Sequence, residues 1–272
     1  MSIKLIVSDI DGTLIPFHGS VSERTRAAVR ACAEKGVTFS IATGRWYVPA
    51  KTVTEAIGQT DGCMIIAGGG AIVTLSGEVI QEWGIPDARA EQVYAIMRKH
   101  DVMMNTFTRG NLYRLNTRAY GRRVDELDSY LGGAFLVHAD DQALFERDGL
   151  KRPYKMEAYT RDEAKLREIA EELNEAGFSV TSSYPTNIVI TERDMGKGVA
   201  VEWLANKVGA TREECMAMGD NTNDLSLLGA VGWPIAMGNA VSELKSVARL
   251  IAPDSADDGA AIMIERALED RL

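Results

Sequence analysis

What most constrains this chain is a rhythm near its start. Short apolar runs at 4–10 (KLIVSDI), 37–43 (VTFSIAT) and 63–68 (CMIIAG) alternate with segments of helical period. The first helical segment opens on the capping box Ser20-Val21-Ser22-Glu23, repeats apolar residues through Ala28, Val29, Cys32 and Ala33, and closes at Gly36. The second runs over about 46–57. Strands that are apolar throughout and separated by helices belong to a parallel sheet covered on both faces. The rhythm breaks at 71–83, where AIVTLSGEVIQEW reads as a hairpin turning at Ser76-Gly77. It resumes near Asn187 with NIVIT, a helix over 197–208, ECMAMG at 214–219, a helix over 222–229 and PIAM at 234–237.

The stretch between has another character. It reads as a helix (87–100), strands at 102–107 and 111–116, a helix (118–131), strands at 134–138 and 154–160, a helix (161–176) and a strand at 178–184. The expected architecture is α/β, a doubly wound parallel-sheet core from residues 1–83 and 187–272. An α+β domain over 84–186 is inserted in it.

Composition excludes several functions. The chain has 272 residues, 46% of them hydrophobic and 25% charged, as in an ordinary globular protein. Its net charge of −9 argues against coating nucleic acid or anionic lipid. Cys32, Cys63 and Cys215 are too scattered for a disulfide framework or a zinc knuckle. With no cleavage pattern in MSIKLIVSDIDGT and no apolar stretch of membrane-spanning length, a cytoplasmic protein is expected, without a membrane or nucleic-acid partner.

In open α/β sheets ligands bind beyond the carboxyl ends of the strands. Asp9-Ile10-Asp11-Gly12-Thr13 follows the first strand, Thr43-Gly44-Arg45 the second, and Gly219-Asp220-Asn221-Thr222-Asn223-Asp224 ends a later one. Lys197 opens the helix after NIVIT. Four carboxylates, a hydroxyl and an ammonium thus converge on one rim. Such carboxylates repel one another and call for a cation. Oxygen ligands without His or Cys select a hard divalent ion, most simply Mg2+, which would neutralise an incoming phosphate. The collection points to phosphoryl transfer. Lys197, the Thr43 hydroxyl and the backbone N–H groups of Gly12, Thr13 and Gly44 are donors for phosphoryl oxygens. Asp9 and Asp11, at i and i+2, share one face on a regular strand, so one can attack while the other serves the leaving group. A lysine in the first turn of a helix opposes the dipole unless an anion sits there, which favours a functional Lys197.

The ordered set DIDGT, ATGR, GKG and GDNTND resembles the haloacid dehalogenase (HAD) superfamily of phosphatases, more closely its Cof-type subfamily, class IIB. The four fixed letters of D-x-D-G-T alone occur by chance in on the order of one in a hundred thousand windows, so four ordered motifs leave chance negligible. PIAMGNA at 234–240 is similar to the family's C-terminal signature. The resemblance covers nearly the whole chain. It implies a Rossmann-like core with an α+β cap that sets specificity. It implies Asp9 as nucleophile, Asp11 as general acid/base, and Thr43, Gly44, Lys197 and Asn223 at the phosphate. For the metal it implies Mg2+ at Asp9, the Asp11 carbonyl and Asp220, with Asp224 orienting its shell or Lys197, while Arg45 faces cap and substrate. Gly68-Gly69-Gly70 stands where the family carries Asn-Gly-Ala, which bears on specificity and not on chemistry.

The function so implied is a Mg-dependent phosphatase of a small phosphorylated metabolite, a sugar phosphate or phosphorylated cofactor. The alternatives are a phosphomutase-type phosphotransferase and a non-catalytic sensor of a phosphorylated ligand. Other features have plainer readings. His18, His100 and His138 lack the spacing of a metal site or triad, Met103, Met104, Met216 and Met218 pack in strands, and Asp162-Glu163 and Glu171-Glu172 are solvated faces. Arg109, Arg114, Arg118, Arg122 and Arg123 are surface charge, unless one or two greet an anionic leaving group.

Overall fold

The computed structural model describes residues 2–17, 19–120, 136–182 and 185–272. The chain divides into two compact units, Met1–Gln81 with Gly196–Leu272, and Glu82–Met195. The strands in chain order begin with β1 (Leu5–Ser8), β2 (Thr38–Ala42), β3 (Cys63–Ile66), β4 (Ala71–Thr74) and β5 (Val79–Glu82). There follow β6 (Met103–Phe107), β7 (Leu112–Leu115), β8 (Leu136–Ala139), β9 (Lys155–Tyr159), β10 (Phe178–Thr181) and β11 (Asn187–Glu192). The chain then returns for β12 (Cys215–Gly219), β13 (Trp233–Ala236) and β14 (Leu250–Ile251).

The first sheet runs β14-β13-β12-β1-β2-β3-β4-β5. From β14 through β3 neighbours pair parallel, and β3 pairs antiparallel with β4. The hairpin turns where expected, with the Gly77 N–H donating to the Thr74 carbonyl at 3.0 Å and Gly77 at φ +92°. β1, β2, β3 and β12 are buried nearly throughout, as the unbroken apolar runs require. The helix Glu23–Glu34 starts two residues later than the Ser20 box suggests, because Ser22 is the cap, accepting from the Thr25 N–H. It packs with the C-terminal helix Gly259–Leu268, a pairing fastened by Arg24 forked onto Glu265 at 2.6 and 2.9 Å. On leaving β1 the chain passes to β2 on one side, whereas β12 lies on the other. The switch point of this doubly wound sheet is therefore the β1–β12 boundary.

The second sheet runs β10-β11-β9-β6-β7-β8. One face carries Met104, Met156, Ala158, Ile188 and Ile190 into a cluster with Val93 and Met97 of the helix Asp87–Lys99 and with Leu166, Ile169 and Leu173 of the helix Glu163–Glu175. The alternate residues Asn105, Arg114, Lys155, Glu157 and Tyr159 are polar yet buried. Lys155 donates to Glu157 at 2.5 Å and so does the Tyr159 hydroxyl at 2.6 Å, which keeps the carboxylate partnered.

The strand NIVIT, expected in the core, belongs to this second sheet as β11. It pairs antiparallel with β9 (Asn187 opposite Tyr159) and with β10 (Val189 opposite Thr181). Its continuous apolar run fits a buried strand of either kind, so composition does not choose the sheet. The re-entry of the chain falls at Gly196, not at 187. Of the segment expected as a helix over 118–131, the described part holds a single turn, Thr117–Ala119, and residues 121–135 lie outside the described residues, as do His18, Arg122 and Arg123. Among the described residues no helix is long and apolar enough to cross a membrane. Burial pushes the thiols of Cys32, Cys63 and Cys215 up, to about 12, 11 and 11.

Candidate active site

β1 stops at Ser8, so Asp9 and Asp11 stand in the loop beyond it and not on a regular strand. The expected common face is absent, and the two carboxylates turn to different partners. Asp9 is buried, and its Oδ1 accepts from the Lys197 ammonium at 2.6 Å. Asp11, with a third of its side chain exposed, is clasped by Arg45, whose Nε and Nη2 donate to the two carboxylate oxygens at 2.9 and 2.5 Å. Arg45 thereby engages the loop after β1, a contact that the expectation of a cap-facing arginine did not include.

Lys197 is the first residue of the helix Lys197–Val208 and is 2% exposed. It also donates to Asp224 Oδ1 at 2.6 Å, so the anions that offset its unfavourable place on the helix dipole are the protein's own. Asp224 is fully committed, since its Oδ2 accepts the N–H groups of Asp220 and Asn221 at 3.0 and 3.2 Å. Asp220 Oδ1 accepts from the buried Thr13 hydroxyl at 3.0 Å. Asp9, Asp220 and Asp224 each bring a carboxylate oxygen within 4.8 Å of the others. The Asp11 carboxylate is not in this group.

Two of these buried carboxylates, Asp9 and Asp224, share one ammonium with Asp220 beside them, and the crowding of negative charge acts on Asp9 and Asp220. Burial, with Asp224 adding to it and Lys197 opposing it, holds the Asp9 carboxyl well above the usual range. Asp220 is pushed up to about 7, first by burial and then by Asp224. Burial pulls the Lys197 ammonium down, but the carboxylates of Asp224 and Asp9 outweigh it and keep it charged. A divalent cation fits this donor set. Asp9 Oδ2 and Asp220 Oδ2 accept no hydrogen bond among the described residues, and the buried Asn223 Oδ1 has no partner.

Thr43 follows β2, is 1% exposed, and accepts the Arg45 N–H at 3.1 Å through its hydroxyl oxygen. A side chain at Gly44 would meet only open space. Behind them the turn Ala67–Gly69 is tied in by the Gly68 N–H donating to the Thr43 carbonyl at 2.9 Å. Gly68 is left-handed (φ +71°) with open space beside it, so an asparagine would fit there. A Cβ on Gly69 would stand 2.2 Å from the Gly196 carbonyl carbon, just before Lys197.

Asn239 was legible only as part of PIAMGNA. Its Nδ2 donates to the Gly12 carbonyl at 2.7 Å while its Oδ1 accepts the Ser255 N–H at 2.9 Å, clamping the acidic loop. Of the inserted arginines, Arg114 is buried and donates to Asn105 Oδ1 at 2.9 Å, and Arg109 and Arg118 are exposed. His100 lies against Glu172 and Glu168, at 3.4 and 3.9 Å. His138 lies in β8.

The sequence pattern of the haloacid dehalogenase-like hydrolases matches residues 6–264. The chain is 27% identical over 262 residues to the 5-amino-6-(5-phospho-D-ribitylamino)uracil phosphatase YcsE of Bacillus subtilis, covering 96% of this chain and 94% of that protein. It is 28% identical over 247 residues to the HMP-PP phosphatase of Klebsiella pneumoniae, covering 89% and 87%. Among solved structures, a haloacid dehalogenase-like hydrolase of B. subtilis superposes with a TM-score of 0.85 at 26% identity, over 97% of this chain and 99% of that one. A subclass IIB sugar phosphatase, BT4131, at 22% identity and a TM-score of 0.79 over 97% and 98%, shares the fold. With its motif residues gathered at the switch point and its relatives aligned from end to end, the chain belongs to the haloacid dehalogenase-like hydrolases, as a Cof-type phosphatase of phosphoric monoesters.

Proposed function

We propose that the chain is a Mg-dependent phosphatase of a small phosphorylated metabolite, of sugar-phosphate or phosphorylated-cofactor type, working through an aspartyl phosphate. The observation that carries this reading is the buried trio Asp9, Asp220 and Asp224, two of which, Asp9 and Asp224, share the ammonium of Lys197. The B. subtilis relative, by its name, acts on a uracil bearing a phosphorylated ribityl chain, a substrate of this size class.

Asp9, Asp220 and the Asp11 carbonyl would hold Mg2+, which would supply the positive charge a phosphate needs to approach three carboxylates. Asp9 attacks phosphorus, and the bond from phosphorus to the leaving oxygen breaks. Asp11 gives its proton to that oxygen, then takes one from the water that attacks the aspartyl phosphate, releasing phosphate and restoring Asp9. Lys197, the Thr43 hydroxyl and the Gly44 N–H hold the phosphoryl oxygens. Asp224 positions Lys197, Asn223 accepts from a water or ligand donor, and Arg45 positions Asp11. The inserted unit, read as a cap over 84–186, contributes to substrate selectivity.

Phosphate release from para-nitrophenyl phosphate tests the reading. Native protein is expected to release phosphate with Mg2+, to stop on adding EDTA, and to fall to background in Asp9→Asn, which keeps the side chain's shape but not its nucleophile. Undiminished turnover by Asp9→Asn would overturn it.

A further inference from the structure

Phe17 is the most exposed large apolar side chain among the described residues, at 57%. Scattered apolar residues on a surface need no explanation, but this one is not remote. After β1 the chain doubles back on itself. The Ile15 N–H donates to the Ile10 carbonyl at 2.9 Å, the Gly12 N–H donates to the Ile15 carbonyl at 2.8 Å, and Asp11 and Ile15 form an isolated bridge. Pro16 stiffens the next step, and its carbonyl accepts the Gly19 N–H at 2.9 Å. This fold-back carries the Phe17 ring onto the acidic loop. A Cβ placed on Gly12 would stand 2.5 Å from ring carbon Cε2 of Phe17 and 2.5 Å from Asp220 Oδ2, so one point adjoins both the ring and the carboxylate.

The other groups at this rim are carboxylates, an ammonium, a guanidinium and hydroxyls. They recognise charge and hydrogen-bonding atoms, and none of these named groups carries an aromatic ring. An aromatic ring recognises another ring, through offset or edge-on contact. A phenylalanine held in water by a hydrogen-bonded turn forgoes the burial its apolar area favours, unless a ligand completes that burial.

We infer that Phe17 is a specificity-determining residue that packs against a planar ring in the leaving group, so that ring-bearing phosphate monoesters are favoured over open-chain polyol phosphates. This rests on the functional reading above. If Asp11 protonates the leaving oxygen, the leaving group lies beside the loop that Phe17 flanks.

The test compares kcat/KM for para-nitrophenyl phosphate, which has a ring, with that for glycerol 3-phosphate, which has none. It uses the full chain with Mg2+, as native protein, Phe17→Ala, Phe17→Leu and Phe17→Tyr. The ratio of ring to open-chain substrate is expected to fall about tenfold in Phe17→Ala, carried by KM. Phe17→Leu, apolar without a ring, shows most of that fall, and Phe17→Tyr retains the native ratio. An equal loss on both substrates, or a native ratio in Phe17→Leu, would overturn the assignment of Phe17 and leave the phosphatase reading standing. Native protein that hydrolyses neither substrate would overturn the phosphatase reading, and this inference with it.

Discussion

Lys197 balances Asp9 and Asp224 with one ammonium, and its removal leaves two buried carboxylates without a countercharge. Lys197→Met is expected to lower unfolding free energy by about 3–5 kcal/mol, measured by urea denaturation. Adding Asp224→Asn should recover part of that loss by deleting one stranded charge. Losses that simply add in the double variant, with no recovery, argue against the shared-cation account. Asp220 sets a pH signature. Its folded carboxyl is raised from the ordinary 3.8 to about 7, so the folded chain holds a proton that the unfolded chain has released across that window. Metal-free protein therefore loses stability as pH climbs through the window, and a cation on Asp220 reverses the loss. The gain in Tm on exchanging EDTA for Mg2+ should be larger at pH 8 than at pH 5, and equal gains would exclude Asp220 as the group concerned.

Among the elements, the turn Ala67–Gly69 separates two glycines that look alike in sequence. Gly69→Ala forces a Cβ onto the Gly196 backbone at φ +99°, and should cost about 3 kcal/mol or more. Gly68→Asn places a residue tolerant of the left-handed region in open space, and should change stability by less than about 1 kcal/mol, toward stabilisation. Thermal melts of the two variants decide between the accounts. Much at this scale was legible in the residues, because apolar runs and turn chemistry are local properties. β1, β2, β3 and β12, the hairpin at Gly77, and the gathering of Asp9, Asp220, Asp224 and Lys197 all follow from them. The membership of β11 was not legible, since pairing partners are chosen by register with distant strands and NIVIT suits either sheet. The Asp11–Arg45 clasp was hidden too, because β1 ends one residue before the acidic motif and the period-two argument no longer applies there.

At the level of the whole molecule, each unit has its own sheet, and the second has its own apolar cluster around Met97, Ile169 and Ile190. A ligand held by Asp9 and Asp220 stabilises the unit that owns them. Hydrogen exchange with and without Mg2+ should show added protection within 1–81 and 196–272. Protection of equal size throughout 82–195 would contradict this placement of the ion. The division also bears on inheritance. The carboxylates, Thr43, Gly44, Arg45, Asn223 and Asn239 all lie before Glu82 or after Met195, with Lys197 the second residue past that second boundary. A recombination event that replaces the intervening stretch therefore transmits every one of these side chains unaltered. Lineages descending from such a chain can renew the insert wholesale while these side chains pass on as a single hereditary block.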